Sequence, residues 1–175
     1  MAPFDLLSKF GGYYFDLDMI QRRPVTSLRN FVVEEGTGKL GSSVIHSERD
    51  HPFIKASVEE FRDDYKWYVW AHVGPDLITR VLQRLCNDYD ITWMTPERCQ
   101  GFRVLPAETF YPVHWMNWRE YFYPRKQDDT STEQWGDDVI GAHVWNSKSS
   151  EFKVEKHSNQ YYTQLARKSC PRILD

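Results

Sequence analysis

No segment constrains this chain more than Tyr13-Tyr14-Phe15, set between Gly11-Gly12 and the acidic triplet Asp16-Leu17-Asp18. The paired glycines stop the helical pattern of residues 4–10. Three consecutive apolar aromatics then read as a buried strand, closed at its C-terminal end by acids. In an extended segment residues two apart point to the same side, so Asp16 and Asp18 can both face one hard cation. Open α/β sheets place their ligands at that end of a strand. Two carboxylates with open coordination positions suit Mn²⁺ or Mg²⁺, which can then take phosphate oxygens from a nucleotide. Chance also produces Asp-x-Asp among 25 acidic residues, and Asp88-Tyr89-Asp90 is a case. That pair follows a helix end among polar residues, whereas Asp16 and Asp18 close a strand.

The clearest helix opens at Gly74-Pro75, with proline in the first turn where its missing N–H does no harm. Leu77, Ile78, Val81, Leu82 and Leu85 then recur at helical spacing. A second helix is predicted over 53–66, where Phe53, Ile54, Val58, Phe61 and Tyr65 share a face. Ser158 to Lys168 reads as a final helix ended by Pro171. Residues 102–105 and 139–145 read as strands, and 31–33 and 44–45 as weaker ones. The stretch 124–138 is polar throughout and reads as a surface loop. With 175 residues and no internal repeat, the chain reads as one domain, 1–175. Helices and strands alternate, so the fold class is α/β.

Composition excludes some functions and leaves other choices open. A net charge of -3 gives no electrostatic footprint for nucleic acid. No apolar run approaches the roughly 20 residues of a membrane span, and the first ten residues lack the pattern of a signal peptide. The three cysteines, Cys86, Cys99 and Cys170, have no zinc-site spacing. Cys86 and Cys99 could close a short loop, or all three could be buried, reduced thiols. Among six histidines, His143 lies in the apolar segment Val139–Trp145. There it is either a satisfied core residue or an imidazole added to a carboxylate-bound cation. Trp67, Tyr68 and Trp70 are either core or a platform for the apolar faces of sugar rings. No serine-triad motif, P-loop or dinucleotide fingerprint is present.

Five blocks carry a resemblance. They are Lys9-Phe10-Gly11-Gly12-Tyr13-Tyr14-Phe15-Asp16-Leu17-Asp18; Trp70-Ala71-His72-Val73-Gly74-Pro75 running on to Thr79-Arg80-Val81; Leu105-Pro106-Ala107-Glu108-Thr109-Phe110-Tyr111-Pro112-Val113 with Trp115; His143-Val144-Trp145-Asn146 with Lys148-Ser149; and Cys170-Pro171. In order and spacing they resemble the conserved region of the α-1,4-glycosyltransferases. The resemblance implies a GT-A fold of which this chain is the C-terminal part. It also implies a UDP-sugar donor, a glycolipid or glycan acceptor, a Mn²⁺ or Mg²⁺ cofactor, retention of the α configuration and a Golgi-luminal setting. Asp16 and Asp18 would be the catalytic, metal-holding pair, with His143 as third ligand and Gly12 and Lys148 beside the donor. Trp70, His72, Gly74 and Pro75 would line the acceptor side, and Cys86 and Cys99, which match family cysteines, would pair.

Two positions depart from the family pattern. Val73 stands where the family has Gln or Asn, and Gly41-Ser42 where it has Asn-Gly. Family members also carry a membrane anchor and a nucleotide-binding first half ahead of the Asp-x-Asp block, whereas Met1 here falls inside the helix before it. The expectation is therefore a truncated chain, associated with membranes only through an anchor it does not contain and inactive in transfer by itself. A non-catalytic carbohydrate- or partner-binding remnant of the family is the second expectation.

Overall fold

The structure is a computed structural model and describes residues 3–36, 38–124 and 135–173. In chain order its helices are α1 (Pro3–Phe10), α2 (Pro52–Asp63), α3 (Pro75–Cys86), α4 (Asn146–Ser149) and α5 (Tyr161–Ser169). The strands are β1 (Gly12–Phe15), β2 (Met19–Gln21), β3 (Phe31–Gly36), β4 (Lys39–Ser47), β5 (Arg103–Leu105) and β6 (Gly141–His143). The chain divides into two compact units, Met1–Asp16 with Thr26–Ala107, and Leu17–Val25 with Glu108–Asp175.

The first unit is built on a four-stranded sheet of order β1-β4-β3-β5. Strands β1 and β3 run antiparallel to β4, while β5 runs parallel to β3. The sheet is thus mixed and mostly antiparallel, and β1 lies at its edge. That position corrects the reading of Tyr13–Phe15 as a buried strand: every residue of β1 is only half-buried. Phe53 and Ile54 of α2 and Leu77, Ile78, Val81 and Leu82 of α3 pack with Val32, Leu40 and Ile45 of the sheet and Phe4 and Leu7 of α1. The predicted helix at Gly74-Pro75 is α3, with Gly74 as N-cap and Asn87 closing it in the left-handed region at φ 51°.

Three other boundaries differ from expectation for local reasons. Helix α2 stops at Asp63, so Tyr65, grouped by period with its buried face, lies outside the helix and exposed. Strands β3 and β4 outrun the short apolar cores at 31–33 and 44–45, because pairing between neighbours carries polar residues into the ladder. Only Gly141–His143 of the expected strand 139–145 is β-structure, since Trp145 takes φ 57° and turns the chain into α4.

Gly11 makes the turn from α1 into β1 possible. It sits at φ +66°, and a Cβ there would lie 2.8 Å from the Arg49 backbone nitrogen, which no side-chain rotation relieves. Gly11→Ala is expected to lower stability by about 2 kcal/mol, combining left-handed strain with that clash. A urea-denaturation midpoint unchanged from wild type would rule out this account.

The second unit has a core of aromatic rings. Phe110, Tyr111, Trp118, Tyr121, Phe122, Trp145 and Tyr161 are all buried. Its sheet is the antiparallel pair β2 and β6, with Met19 opposite His143 and Gln21 opposite Gly141. A Cβ on Gly141 would lie 2.8 Å from the Phe110 ring, so only glycine fits there. The predicted helix over Ser158–Lys168 is α5, which starts later, at Tyr161. Before it, the Ser158 hydroxyl is spent on the Glu155 carbonyl, 2.8 Å away. Most of the predicted loop 124–138 (residues 125–134) lies outside the described residues.

Candidate active site

Pairing of β2 with β6 sets Asp18 against His143 in the second unit. Asp18 immediately precedes Met19, whose register partner is His143, and the Asp18 carbonyl accepts the Val144 N–H at 2.9 Å. Backbone bonding of this kind fixes where both side chains start. The Asp18 carboxylate then splits its duties. Oδ2 accepts the Asn146 N–H at 2.7 Å, at the start of α4, while Oδ1 lies 3.2 Å from His143 Nε2. Burial alone would push the Asp18 carboxyl up. The His143 contact and the Asn146 N–H outweigh it and hold the group below its ordinary value, so it stays ionised.

His143 is buried between two rings. Its imidazole meets Trp145 edge-on at 4.4 Å and Tyr111 at 5.6 Å between centroids. The Trp145 indole N–H donates to the Val113 carbonyl at 2.9 Å, which locks the ring that walls the imidazole. The left-handed turn at Trp145 is what brings the Asn146 amide back toward Asp18. Tyr111, Trp145 and the Asn146 amide were not expected as site groups. All three lie in blocks quoted for the resemblance, and only rotation along the folded chain shows which atoms face Asp18.

The donor pair passes a simple test for a divalent cation. Two ligands about 2.1 Å from one octahedral ion, at right angles, lie about 3 Å apart. The 3.2 Å between Asp18 Oδ1 and His143 Nε2 fits that spacing. A carboxylate oxygen with an imidazole nitrogen also suits Mn²⁺ chemically.

Asp16 closes β1 in the first unit. Its N–H donates to the Ser43 carbonyl at 2.8 Å, and its Oδ1 accepts the Tyr14 hydroxyl at 2.6 Å. Leu17 alone separates it from Asp18 along the chain. Gly12 opens β1 at φ +103°, with no atom within 4 Å of where a Cβ would stand. Lys148, on α4, carries its ammonium 5.2 Å from the centroid of the Trp115 ring. The second Asp-x-Asp is structural: Asp90 Oδ1 accepts the Thr92 N–H at 2.9 Å and hydroxyl at 2.7 Å, capping a short turn.

Trp70, His72 and Gly74 lie in the first unit, on the connection from α2 to α3, and Pro75 opens α3. Trp67, Tyr68 and Trp70 are 78%, 70% and 87% exposed, which removes the core-packing reading of these rings. The segment is pinned nonetheless. His72 Nε2 donates to the Asp64 carbonyl at 3.0 Å and to Asp64 Oδ2 at 2.9 Å. Arg80 reaches the His72 carbonyl, and Arg80 and Arg84 both bond the Glu60 carboxylate, at 2.8 and 2.6 Å. A Cβ on Gly74 would press on the Ser42 side chain at 3.2 Å, so the loop passes close to the position where the family pattern is broken.

Burial pushes the Glu60 carboxyl up, but the hydrogen bonds from Arg80 and Arg84 win and hold it below its ordinary value. A depressed carboxylate stabilises the fold above its unfolded pKa, about 4.3, and loses that contribution as pH falls through the folded value. Glu60→Gln is accordingly expected to cost about 1 kcal/mol at neutral pH. The difference should shrink to nothing in acid, as read from urea midpoints at the two conditions. A gap that persists unchanged in acid would contradict the ion-pair account.

Three other histidines have structural duties. His51 caps α2 by accepting the Phe53 N–H, and His114 accepts the Met116 N–H at the start of the turn Trp115–Tyr121. His46 Nδ1 accepts the Asn30 N–H at 2.9 Å. Cys86 and Cys99 are joined, with Cα atoms 4.3 Å apart, and Cys170 is a free thiol.

Comparison with known proteins agrees with the blocks. Residues 46–175 match the alpha 1,4-glycosyltransferase conserved region. Lactosylceramide 4-alpha-galactosyltransferase of Rattus norvegicus is 33% identical over 169 residues, covering 95% of this chain and 45% of the relative. The Mus musculus enzyme of the same name is 34% identical over the same shares. Alpha-1,4-N-acetylglucosaminyltransferase of Homo sapiens is 30% identical over 95% of this chain and 48% of its own length. The chain thus spans about half the length of these curated relatives. No solved structure is significantly similar to it. A match over so much of the chain, in the segments that carry Asp18, His143 and the exposed Trp70 loop, decides the family: the chain belongs to the α-1,4-glycosyltransferases.

Proposed function

We propose that the chain is the metal- and acceptor-holding part of a retaining α-1,4-glycosyltransferase that moves a hexosyl or N-acetylhexosaminyl group from a UDP-sugar to a glycolipid or glycan. The observation that carries this reading is the Asp18–His143 pair, oriented by the Asn146 amide and walled by Trp145 and Tyr111. Asp18 and His143 are the proposed ligands for Mn²⁺ or Mg²⁺, and Asp16, the first acid of the Asp-x-Asp, is proposed as the third from the motif alone. When bound, the cation supplies Lewis-acid neutralisation of the negative charge on the departing diphosphate. Asp18 keeps one oxygen turned toward the imidazole because the Asn146 N–H holds the other. Gly12, open above its Cα, is proposed to leave room for the donor to approach the backbone, and Lys148, on α4, is proposed to contribute a cation to the diphosphate.

Trp70 is proposed to stack on an acceptor sugar ring, with His72, Gly74 and Pro75 fixing the loop beneath it. Lactosylceramide, in the name of the rat relative, makes a glycolipid acceptor and a Golgi membrane setting the leading choices. No helix among the described residues is long and apolar enough to cross a membrane, so association with the bilayer is proposed to come from an anchor outside them.

Val73 and the exposed rings of Trp67, Tyr68 and Trp70 favour a second reading, glycan binding without transfer. One experiment separates the two. The chain is exchanged for the matching segment of the rat relative, and the chimera is given UDP-galactose, lactosylceramide and Mn²⁺. Galactosyl transfer that vanishes with a chelator supports the enzyme. Retention of lactosylceramide with no release of UDP supports the binding module, and failure of both defeats the whole proposal.

A further inference from the structure

At the far end of β2 from Asp18, the second unit holds a cavity of about 180 Å³ lined by Arg22, Arg23, Gln164, Leu165, Lys168 and Ser169. The helix supplies its four lining residues at i, i+1, i+4 and i+5, one face of α5. Leu165, an apolar lining residue, is buried. The two arginines come from the segment leaving β2, where both backbone N–H groups donate to the Ile140 carbonyl, at 2.8 and 3.1 Å. Neither arginine is loose. Arg22 donates to the Val139 carbonyl at 2.9 Å and lies over the Trp135 ring, and Arg23 pairs with Asp137.

Charge is what singles the cavity out. Three cations against the one carboxylate of Asp137 leave two positive charges, in a chain whose net charge is -3. Burial, and then Arg23 beside it, lowers the Arg22 guanidinium from its ordinary value, so the fold holds like charges together at a cost. Arg22 still has four of its five N–H donors beyond the Val139 bond, and the planar fork suits a tetrahedral oxyanion. Phosphate carries about -1.5 to -2 at neutral pH, which matches the surplus. Asp18 and Arg22 flank the three residues of β2, about 13 Å apart at roughly 3.3 Å per residue. A diphosphate held at Asp18 therefore does not fill this cavity.

We infer that the cavity between α5 and the segment after β2 is a phosphate site, gripped by Arg22, Arg23 and Lys168 and separate from the transfer site. The phosphate has two chemical sources, a soluble phosphate or the headgroup of an anionic lipid. The test uses the full chain in low salt, because exposed charges are screened within about 10 Å at 0.1 M salt. Inorganic phosphate is titrated calorimetrically, and vesicles of phosphatidylcholine with and without phosphatidic acid are sedimented with the protein.

Saturable binding of free phosphate supports a soluble source, and capture by phosphatidic acid vesicles alone supports the headgroup. In either case Arg23→Gln and Lys168→Gln, both at exposed side chains, should each weaken binding about tenfold. Asp137→Asn should tighten it, since Arg23 is then released from its partner. Binding of neither phosphate nor the charged vesicles overturns the inference. So does binding that all three substitutions leave unchanged, with folding of each checked by circular dichroism.

Discussion

Replacing Asp18 by Asn is expected to weaken Mn²⁺ binding by about a hundredfold while leaving the fold standing. Loss of partners that merely orient a ligand already costs 10- to 100-fold in metal affinity, so loss of the anionic ligand itself belongs at the upper end of that range or beyond. An amide oxygen can still accept the Asn146 N–H that the carboxylate accepts now at 2.7 Å. What disappears is the negative charge facing His143 Nε2 at 3.2 Å. The measurement is a Mn²⁺ titration followed by electron paramagnetic resonance. Asp90→Asn is the matched control: it has the same Asp-x-Asp spacing, but its carboxylate caps a turn, and Mn²⁺ affinity should not move. Equal affinities for wild type and Asp18→Asn would sink the metal role, and transfer by the chimera would then need another explanation.

How much of this was legible without the structure depends on whether the signal was local. Helix α3 was, because its start at Gly74-Pro75 and the period of Leu77, Ile78, Val81 and Leu82 are properties of neighbouring residues. The edge position of β1 was not. Tyr13-Tyr14-Phe15 has the composition of a covered strand, and only the sheet order shows that β4 alone flanks it. The rule placing ligands at strand ends belongs to parallel sheets, whereas Asp16 follows the edge strand of a sheet that is mostly antiparallel and Asp18 precedes β2 of the second unit.

The aromatic loop shows the same limit from the other side. Periodicity carried Tyr65 into α2, and composition favoured burial of Trp67, Tyr68 and Trp70. Local competition decided otherwise: the Asp64 carbonyl and carboxylate are taken by His72, ending the helix at Asp63 and turning the rings outward. His143 illustrates a choice that spacing left open. Its neighbours Val139–Trp145 suggested a core residue, and burial agrees. Yet the imidazole faces the one carboxylate that the Met19–His143 register sets beside it. Register is a long-range property, and no window of sequence around His143 contains it.

Loss of the Cys86–Cys99 bond should have the largest effect on stability. The two cysteines are 13 residues apart, and closing a loop of that size is worth about 3 kcal/mol in the chain-entropy account. Both side chains also lie in the first unit's core, beside Ile91, Met94 and Phe102, so the bond ties the end of α3 to the segment that leads into β5. Cys86→Ala with Cys99→Ala should lower the melting temperature by about 15 °C, since 1 kcal/mol shifts a unit of this size by about 4–8 °C. Reductant should reproduce most of that shift in wild type and none of it in the double variant. Alkylation of unfolded protein provides the count: without reductant only Cys170 should react, and with reductant all three cysteines. Three reactive thiols in protein recovered from the secretory pathway would show that the pair does not close, removing the oxidising compartment from the proposal along with the stability it supplies.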